Sequence, residues 1–293
     1  MRQREVALAL AGLLAGCVKP APPPVPPHYV VGGGYQLGGR WYYPREDFHY
    51  DKTGVASVLP AGRGLTADGE PIDAAAMAAA HQTLQLPSIV RVTNLDTGRQ
   101  ALVRVNDRGP ANPGRIIALS PRAAELLGIA AGGTPVRVQV EAPASLALRE
   151  QLHGGPVLQL TAAPRAAVAQ ETLAPPAGVA LSARGRNAGG AVAASAALNE
   201  TQAPPDRLPE TVTQVAVGPW RLVIDAGSFG QMSYARQVQA KLAGLPAQVR
   251  RVQEGRTERY QVAVGPFLRV NEADSALDRA LRAGVTDARI AVE

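Results

Sequence analysis

The sequence predicts a mainly β domain followed by a small α+β domain, with a linker between them. Three observations predict this. Short alternating apolar segments, broken by Gly and Pro, fill residues 35–142. Composition then shifts over 143–217 to Ala, Pro, Gly, Gln and Thr with few aromatics. From 218 to 293 order returns as an internal repeat. A length of 293 residues agrees with about two domains. The formal charge of +6 is mild and spread along the chain. It accommodates an anionic envelope polymer. No nucleic-acid-binding motif accompanies it, so no nucleic-acid partner is expected.

Taken in order, the chain opens "MRQREVALALAGLLAGC". Arg2 and Arg4 precede an apolar run from Val6 to Leu14, which is too short to span a bilayer and reads as the core of an export signal. Leu14-Ala15-Gly16-Cys17 resembles a bacterial lipobox. That resemblance implies loss of residues 1–16 and lipidation of Cys17, an anchor in the membrane. Val18, rather than an aspartate, follows Cys17 and resembles the pattern of outer-membrane sorting. Cys17 is the only cysteine, so no intramolecular disulfide is expected. Residues 17–34 read as a tether: five prolines between Pro22 and Pro27 stiffen it, and the glycines at 32–34 form a joint.

Within 35–142, "SIVRVTNL" and "RQALVRV" flank Asp96-Thr97-Gly98 and read as a hairpin. "TPVRVQV" (134–140) alternates again. A helix fits "PRAAELLGI", with Ser120 as cap, Pro121 at its first position and Gly128 as its stop. A second helix is expected over "AAAMAAAHQTL", from alanine propensity. Many short strands with little helix suggest a small β-barrel. The apolar "ALVRV" ends in Asn106, Asp107 and Arg108 before Gly109-Pro110. That is either a capped turn or a strand that delivers a carboxylate to a cleft.

Residues 143–217 read as a disordered linker, with a root-mean-square span of about 50 Å. After it, "LVIDAGSF" (222–229) matches "QVAVGPF" (261–267), and "AGLPAQVRRV" (243–252) aligns with "AGVTDARIAV" (283–292). Helical patterns lie between them: Tyr234, Val238 and Leu242 in one, Ala273, Leu277 and Leu281 in the other. Asn271 is a plausible cap of the second. Strand–helix–strand, twice, predicts a ferredoxin-like four-stranded sheet with two helices on one face. Residues 218–293, through Gly227-Ser228-Phe229 and the run Tyr260 to Phe267, resemble the SPOR domain. The resemblance implies binding of peptidoglycan glycan strands that lack stem peptides, on the sheet face and the rim near Ser228, Phe229 and Gln261. Core packing is the competing reading of Phe229.

Four stretches carry a wider resemblance: "YQLGGRWYYPREDFHYDKTGVAS", "LTADGEPIDAAAMAAAHQTLQLPSIVRVTNL", "GRQALVRVNDRGP" and "GRIIALSPRAAELLG". Together with the lipobox and the SPOR-like tail, they resemble the rare lipoprotein A family of septal-ring lytic transglycosylases. The resemblance implies a double-psi β-barrel over 35–142. Its Glu70 matches the catalytic acid/base, Asp107 an active-site aspartate, and His81 and Asp73 further cleft residues. Asn106, Arg108 and Ser120 lie in the same motifs and are taken as substrate contacts. Cleaving a β-1,4 glycosidic bond requires a proton on the leaving oxygen, which a carboxylic acid supplies. Attack by the C6 hydroxyl of the same muramic acid then needs no activated water. No cofactor is called for. A metal is not expected either, with four histidines and no clustered ligand spacing.

Each residue has a plainer reading. Glu70 follows Asp68-Gly69 and fits a solvated turn. Asp107 and Arg108 fit an ion pair that holds the turn. His81 fits a satisfied core position, and Asp73 a helix cap. Two departures from the family pattern bear on activity: Ala118 stands where "RIIDLS" carries aspartate, and Val58-Leu59-Pro60 replaces an aromatic "WYG". The expected function is an outer-membrane lipoprotein, enriched at the division septum, that cleaves peptide-free strands and has divisome proteins as possible partners. The alternative is an impaired, expansin-like glycan-binding septal lipoprotein. A hydrolase using water is a third reading, which would need a second well-placed carboxylate.

Overall fold

A computed structural model describes residues 26–152, 154, 207–255 and 257–293. The export signal, Cys17 and linker positions 155–206 lie outside the described residues. Among the described residues, no helix is long and apolar enough to cross a membrane.

The first domain begins with a small hairpin, β1 (Tyr35–Leu37) and β2 (Arg40–Tyr42). Six strands then build a barrel: β3 (Asp51–Val58), β4 (Ala78–His81), β5 (Ser88–Asn94), β6 (Arg99–Asp107), β7 (Ile117–Leu119) and β8 (Thr134–Val140), with α1 (Pro121–Leu127) between the last two. Their order is β4-β7-β3-β8-β5-β6, and β6 pairs back onto β4 to close the ring. The β3–β7 and β4–β6 pairs are parallel, and the other four are antiparallel. This is the expected double-psi barrel. Alternation turns Val90, Val92, Val103, Val105, Val136 and Val138 into a core where each is fully buried, worth about 2 kcal/mol per side chain.

The β5–β6 hairpin forms in the expected register, with Gly98 at φ 75° in its turn. The α1 helix also forms as read. Ser120 Oγ accepts from the Ala123 N–H at 3.3 Å, and Gly128 takes the left-handed C-cap at φ 69°. The alanine run differs. Instead of a helix it supplies turns and then β4, whose Ala79 and Ala80 are fully buried between β6 and β7. Small side chains let these strands pack closely, and pairing on both edges outweighs helix propensity.

Both predicted chain boundaries shift. Tyr29, in the expected tether, is 2 % exposed and donates to Glu46 at 2.6 Å, and Val30 bridges to Leu86. The start of the expected linker is α2 (Ala142–Gln151). It is fastened to β5 by Ser145, which accepts from the Ile89 N–H at 3.0 Å and donates to the Ile89 carbonyl at 3.2 Å. Its Leu148 enters the barrel core, as does Leu208 after the undescribed span. The short β9 (Thr213–Gln214) then pairs with the outer end of β6.

The second domain contains β10 (Leu222–Phe229), α3 (Met232–Lys241), β11 (Ala247–Glu254), β12 (Thr257–Phe267), α4 (Val270–Arg282) and β13 (Arg289–Val292). The sheet order is β11-β12-β10-β13, antiparallel throughout. Leu222, Ile224, Val262, Val264 and Ile290 alternate onto one face beneath both helices. This is the split arrangement that the repeat predicted. Two details differ. Tyr234 is 54 % exposed, and Ala235 takes the buried position. Arg269, not Asn271, is the cap residue of α4.

The two domains touch. Arg115, 8 % exposed in its side chain, grips both carboxylate oxygens of Asp274 on α4 at 2.6 and 2.8 Å. Thr53 of β3 donates to the carbonyl of Val292 on β13 at 2.7 Å, and Val55 joins the second domain's core.

Candidate active site

The turn 64–72 lies between β3 and β4 and carries Glu70. Leu65 bridges to Pro71, the Thr66 N–H donates to the Glu70 carbonyl at 2.8 Å, and the Ile72 N–H donates to Gly64 at 3.0 Å. The end of β6 fastens this turn. Asp107 Oδ1 accepts from the Ala67 N–H at 3.0 Å, and the Asn106 carbonyl accepts from the Asp68 N–H at 3.3 Å.

Alternation along β6 places Arg104 and Asn106 on one face, and both reach Glu70. Arg104 Nη2 lies 2.5 Å from Oε1, and Asn106 Nδ2 donates to Oε2 at 2.7 Å. The Glu70 side chain keeps 17 % exposure, whereas that of Arg104 keeps 8 %. Two donors therefore fix the plane of a carboxylate that still meets solvent. Leu65 and Ile72 beside it are 50 % and 37 % exposed. The polar residues that end the apolar run of β6 thus hold the turn and its acid.

A second carboxyl stands behind the first. Asp68 is fully buried. Its Oδ1 accepts from the Thr66 hydroxyl at 2.6 Å and from the Glu70 N–H at 3.2 Å, while Oδ2 has no partner among the described residues. Burial pushes the Asp68 carboxyl up to about 6, and the Glu70 charge adds to this, against the hydrogen bond from Thr66. Neither Asp68 nor Arg104 was singled out from the sequence. The available signal was the two-residue spacing of Arg104 and Asn106.

Asp68 makes stability depend on pH. Its folded value lies above the 3.8 of a free aspartate, so the folded chain holds a proton that the unfolded chain has released. The stabilisation is complete below about pH 4 and is lost as pH rises through about 6. A shift of about two units corresponds to about 3 kcal/mol. Asp68→Asn is expected to remove that part of the slope, read by urea melts at pH 4.5 and pH 8. Identical slopes in both proteins would sink the assignment.

The other expected site residues are placed as follows. His81 is 1 % exposed. Its Nδ1 accepts from the Thr83 and Leu84 N–H groups at 3.2 and 3.1 Å, which assigns the proton to Nε2, 3.1 Å from the Tyr50 hydroxyl. Burial pushes the imidazole down to about 3, with the Arg108 charge as a second cause, so it is neutral at physiological pH. None of its bonds reaches Glu70. Arg108 does not form the side-chain pair with Asp107. Its guanidinium donates to the carbonyls of Leu84 and Val31 at 2.5 and 2.6 Å. Ser120 is 3 % exposed and spends its hydroxyl on the α1 cap and the Ala76 carbonyl at 2.6 Å. Asp73 is exposed, accepts from the Ala75 N–H at 2.8 Å and lies 3.6 Å from Arg207. It caps a turn rather than a helix. Ala118 is 2 % exposed, paired between Ser57 and Ala80.

In the second domain, Ser228 faces Gln261 across the β10–β12 pair, with Phe229 opposite Tyr260. The Ser228 hydroxyl accepts from Arg259 at 3.2 Å, and Phe229 packs against the domain core. Val223, Asp225 and Ala263, which alternate onto the face away from the helices, are 2, 8 and 3 % exposed. The centre of that face is therefore closed, and its rim remains for contact.

Residues 44–140 match the lytic transglycolase family, and residues 218–290 match the SPOR domain. Over 259 residues the chain is 35 % identical to the endolytic peptidoglycan transglycosylase RlpA of Pseudomonas aeruginosa (strain UCBPP-PA14), covering 83 % of this chain and 72 % of that protein. The protein of the same name from Yersinia pestis is 45 % identical over 111 residues, which cover 37 % of this chain and 31 % of that one. A crystal structure of the RlpA SPOR domain from Pseudomonas aeruginosa overlaps 24 % of this chain and 95 % of its own, at 22 % identity and a TM-score of 0.23.

Proposed function

The chain belongs to the RlpA family of endolytic peptidoglycan transglycosylases, and on that premise we propose that it is a lytic transglycosylase of peptide-free glycan strands. It cleaves the bond between N-acetylmuramic acid and N-acetylglucosamine and leaves 1,6-anhydro ends. The observation that carries this reading is Glu70, a partly exposed carboxyl held at both oxygens by Arg104 and Asn106.

Glu70 takes up a proton and delivers it to the leaving oxygen. The resulting carboxylate accepts from Arg104 and Asn106, and it removes the proton of the C6 hydroxyl as that oxygen closes on C1. Intramolecular attack draws on the effective molarity of a group already attached to the ring. Asp107 hydrogen-bonds through Oδ1 alone among the described residues. Its charge stabilises the oxocarbenium-like state while its bonds hold the Glu70 turn. His81, with every ring nitrogen engaged, is a rigid part of the wall.

The export signal and Cys17 support an outer-membrane lipoprotein facing the periplasm. The SPOR domain supports recruitment to septal strands without stem peptides, in the company of divisome proteins. Ala118 is buried, and the acid itself is retained, so the enzyme reading is favoured over the expansin-like one. The test is digestion of amidase-treated strands followed by mass spectrometry. Anhydromuramic ends are expected. Reducing ends alone would mean hydrolysis, and a folded protein that binds strands without cutting them would be the glycan-binding module.

A further inference from the structure

One cleft is not lined by Glu70. It has a volume of about 590 Å³ and runs between the β1–β2 hairpin of the barrel and β13 of the second domain. Trp41 and Tyr43, two positions apart, stand on one side of the chain at its edge. They are 58 % and 70 % exposed, with nearly parallel rings 6.5 Å apart at 19°. Their neighbour Tyr42 turns the other way, against Tyr35 at 5.8 Å. Large aromatics left side by side in water, with no partner among the described residues beyond one another, are the informative kind of exposed apolar surface.

Cations line the same cleft: Arg40, Arg45, Lys52, Arg289 and Arg115, the last held by Asp274, against the carboxylates of Asp225 and Asp287. Arg289 is spent on Asp225 at 2.6 Å, and Arg40 leans on Asp287 at 3.9 Å. The Arg45 side chain is 77 % exposed with one long contact, 3.6 Å from Asp47. Lys52 has no ion pair among the described residues. The cleft therefore offers two available positive charges beside an aromatic platform.

We propose that this cleft is a second carbohydrate site, separate from the Glu70 turn, that binds an anionic glycan. Pyranose rings lay their C–H faces on Trp41 and Tyr43, and sugar carboxylates meet Lys52 and Arg45. The proposal rests on the substrate class given above, whose chemistry fits. Removing a stem peptide frees the lactyl carboxylate of each muramic acid, so a peptide-free strand is a polyanion of pyranoses. The position also fits. The cleft floor is His81, Gln82 and Thr83 at the end of β4, and Ala80 of that strand pairs with Asp107. Gln82 further ties the floor to the loop after Asp107, donating to Pro110 and Arg115 at 3.1 and 2.9 Å. A strand held in the cleft thus lies against the same strand pair that carries the acidic turn.

The chain has two tryptophans, so Trp220→Phe leaves Trp41 as the sole reporter. Full-length Trp220→Phe/Glu70→Gln protein, whose lost acid spares the strands from cleavage, is titrated with peptide-free glycan and with a chitooligosaccharide of equal length. The glycan is expected to give a saturable change in Trp41 emission. Affinity for the neutral oligosaccharide, and for the glycan after Lys52→Glu, is expected to fall about tenfold. Silent Trp41 emission with strands that still co-sediment overturns the site, as does equal affinity for the neutral chain. Wild-type digestion run in parallel keeps the two ideas apart. Anhydro products with silent Trp41 remove this site and leave the transglycosylase. Responsive Trp41 without anhydro products does the reverse.

Discussion

Glu70→Gln is expected to lower the release of anhydro ends by about 10²–10⁴-fold, the usual worth of a general acid/base group, while strand binding persists. The substitution conserves shape, so loss of activity reads as loss of the proton carrier. It has a structural cost that must be measured beside it. Arg104 and Asn106 both donate to this side chain, and an amide answers only one of them as an acceptor. The amide nitrogen faces a donor, which costs about 1–3 kcal/mol. Thermal melting reports that cost, and rates are compared below the lower melting temperature. A variant within about tenfold of wild type would remove Glu70 from the chemistry.

Arg104→Met is expected to be the more damaging to the fold, at about 3 kcal/mol. It strands the Glu70 carboxylate against a buried surface with one remaining donor, and breaking a buried pair from one side usually costs more than the pair is worth. Replacing both partners tests this interpretation. Arg104→Met/Glu70→Gln is expected to recover part of the loss, because no charge is left unpaired. Urea melts of the four proteins close a double-mutant cycle, and a coupling below about 0.5 kcal/mol would mean independent sites. Activity of Arg104→Met falls too, since the carboxyl loses the contact that sets its plane.

Legibility from sequence followed the range of the interactions. The SPOR-like repeat was readable because each half states its own strand, helix and strand, and the α1 ends were readable because Ser120, Pro121 and Gly128 act locally. The run at 74–84 was misread because alanine says helix locally, and only the two flanking strands, distant in sequence, require β4. Tyr29 and Leu208 were lost in low-complexity surroundings, where a single apolar residue that reaches the core leaves no period. At the site, Glu70 and Asp107 came through resemblance. Arg104 needed the register of β6 against the turn, and Asp68 needed its burial, neither of which a linear pattern contains. His81 and Ser120 were named from their motifs, and their polar atoms are consumed by neighbouring backbone.

The chain leaves the barrel after α2 and returns to it at Leu208 and β9. Both ends of the long low-complexity span therefore belong to one domain, and the span is an excursion rather than a leash. Its length does not set how far apart the barrel and the SPOR domain stand. That distance is governed by the few residues from β9 to β10 and by the Arg115–Asp274 contact. Doubling or halving the excursion changes closure entropy by only about 0.6 kcal/mol. Changing the number of residues there is therefore expected to leave the spacing of the two domains unchanged.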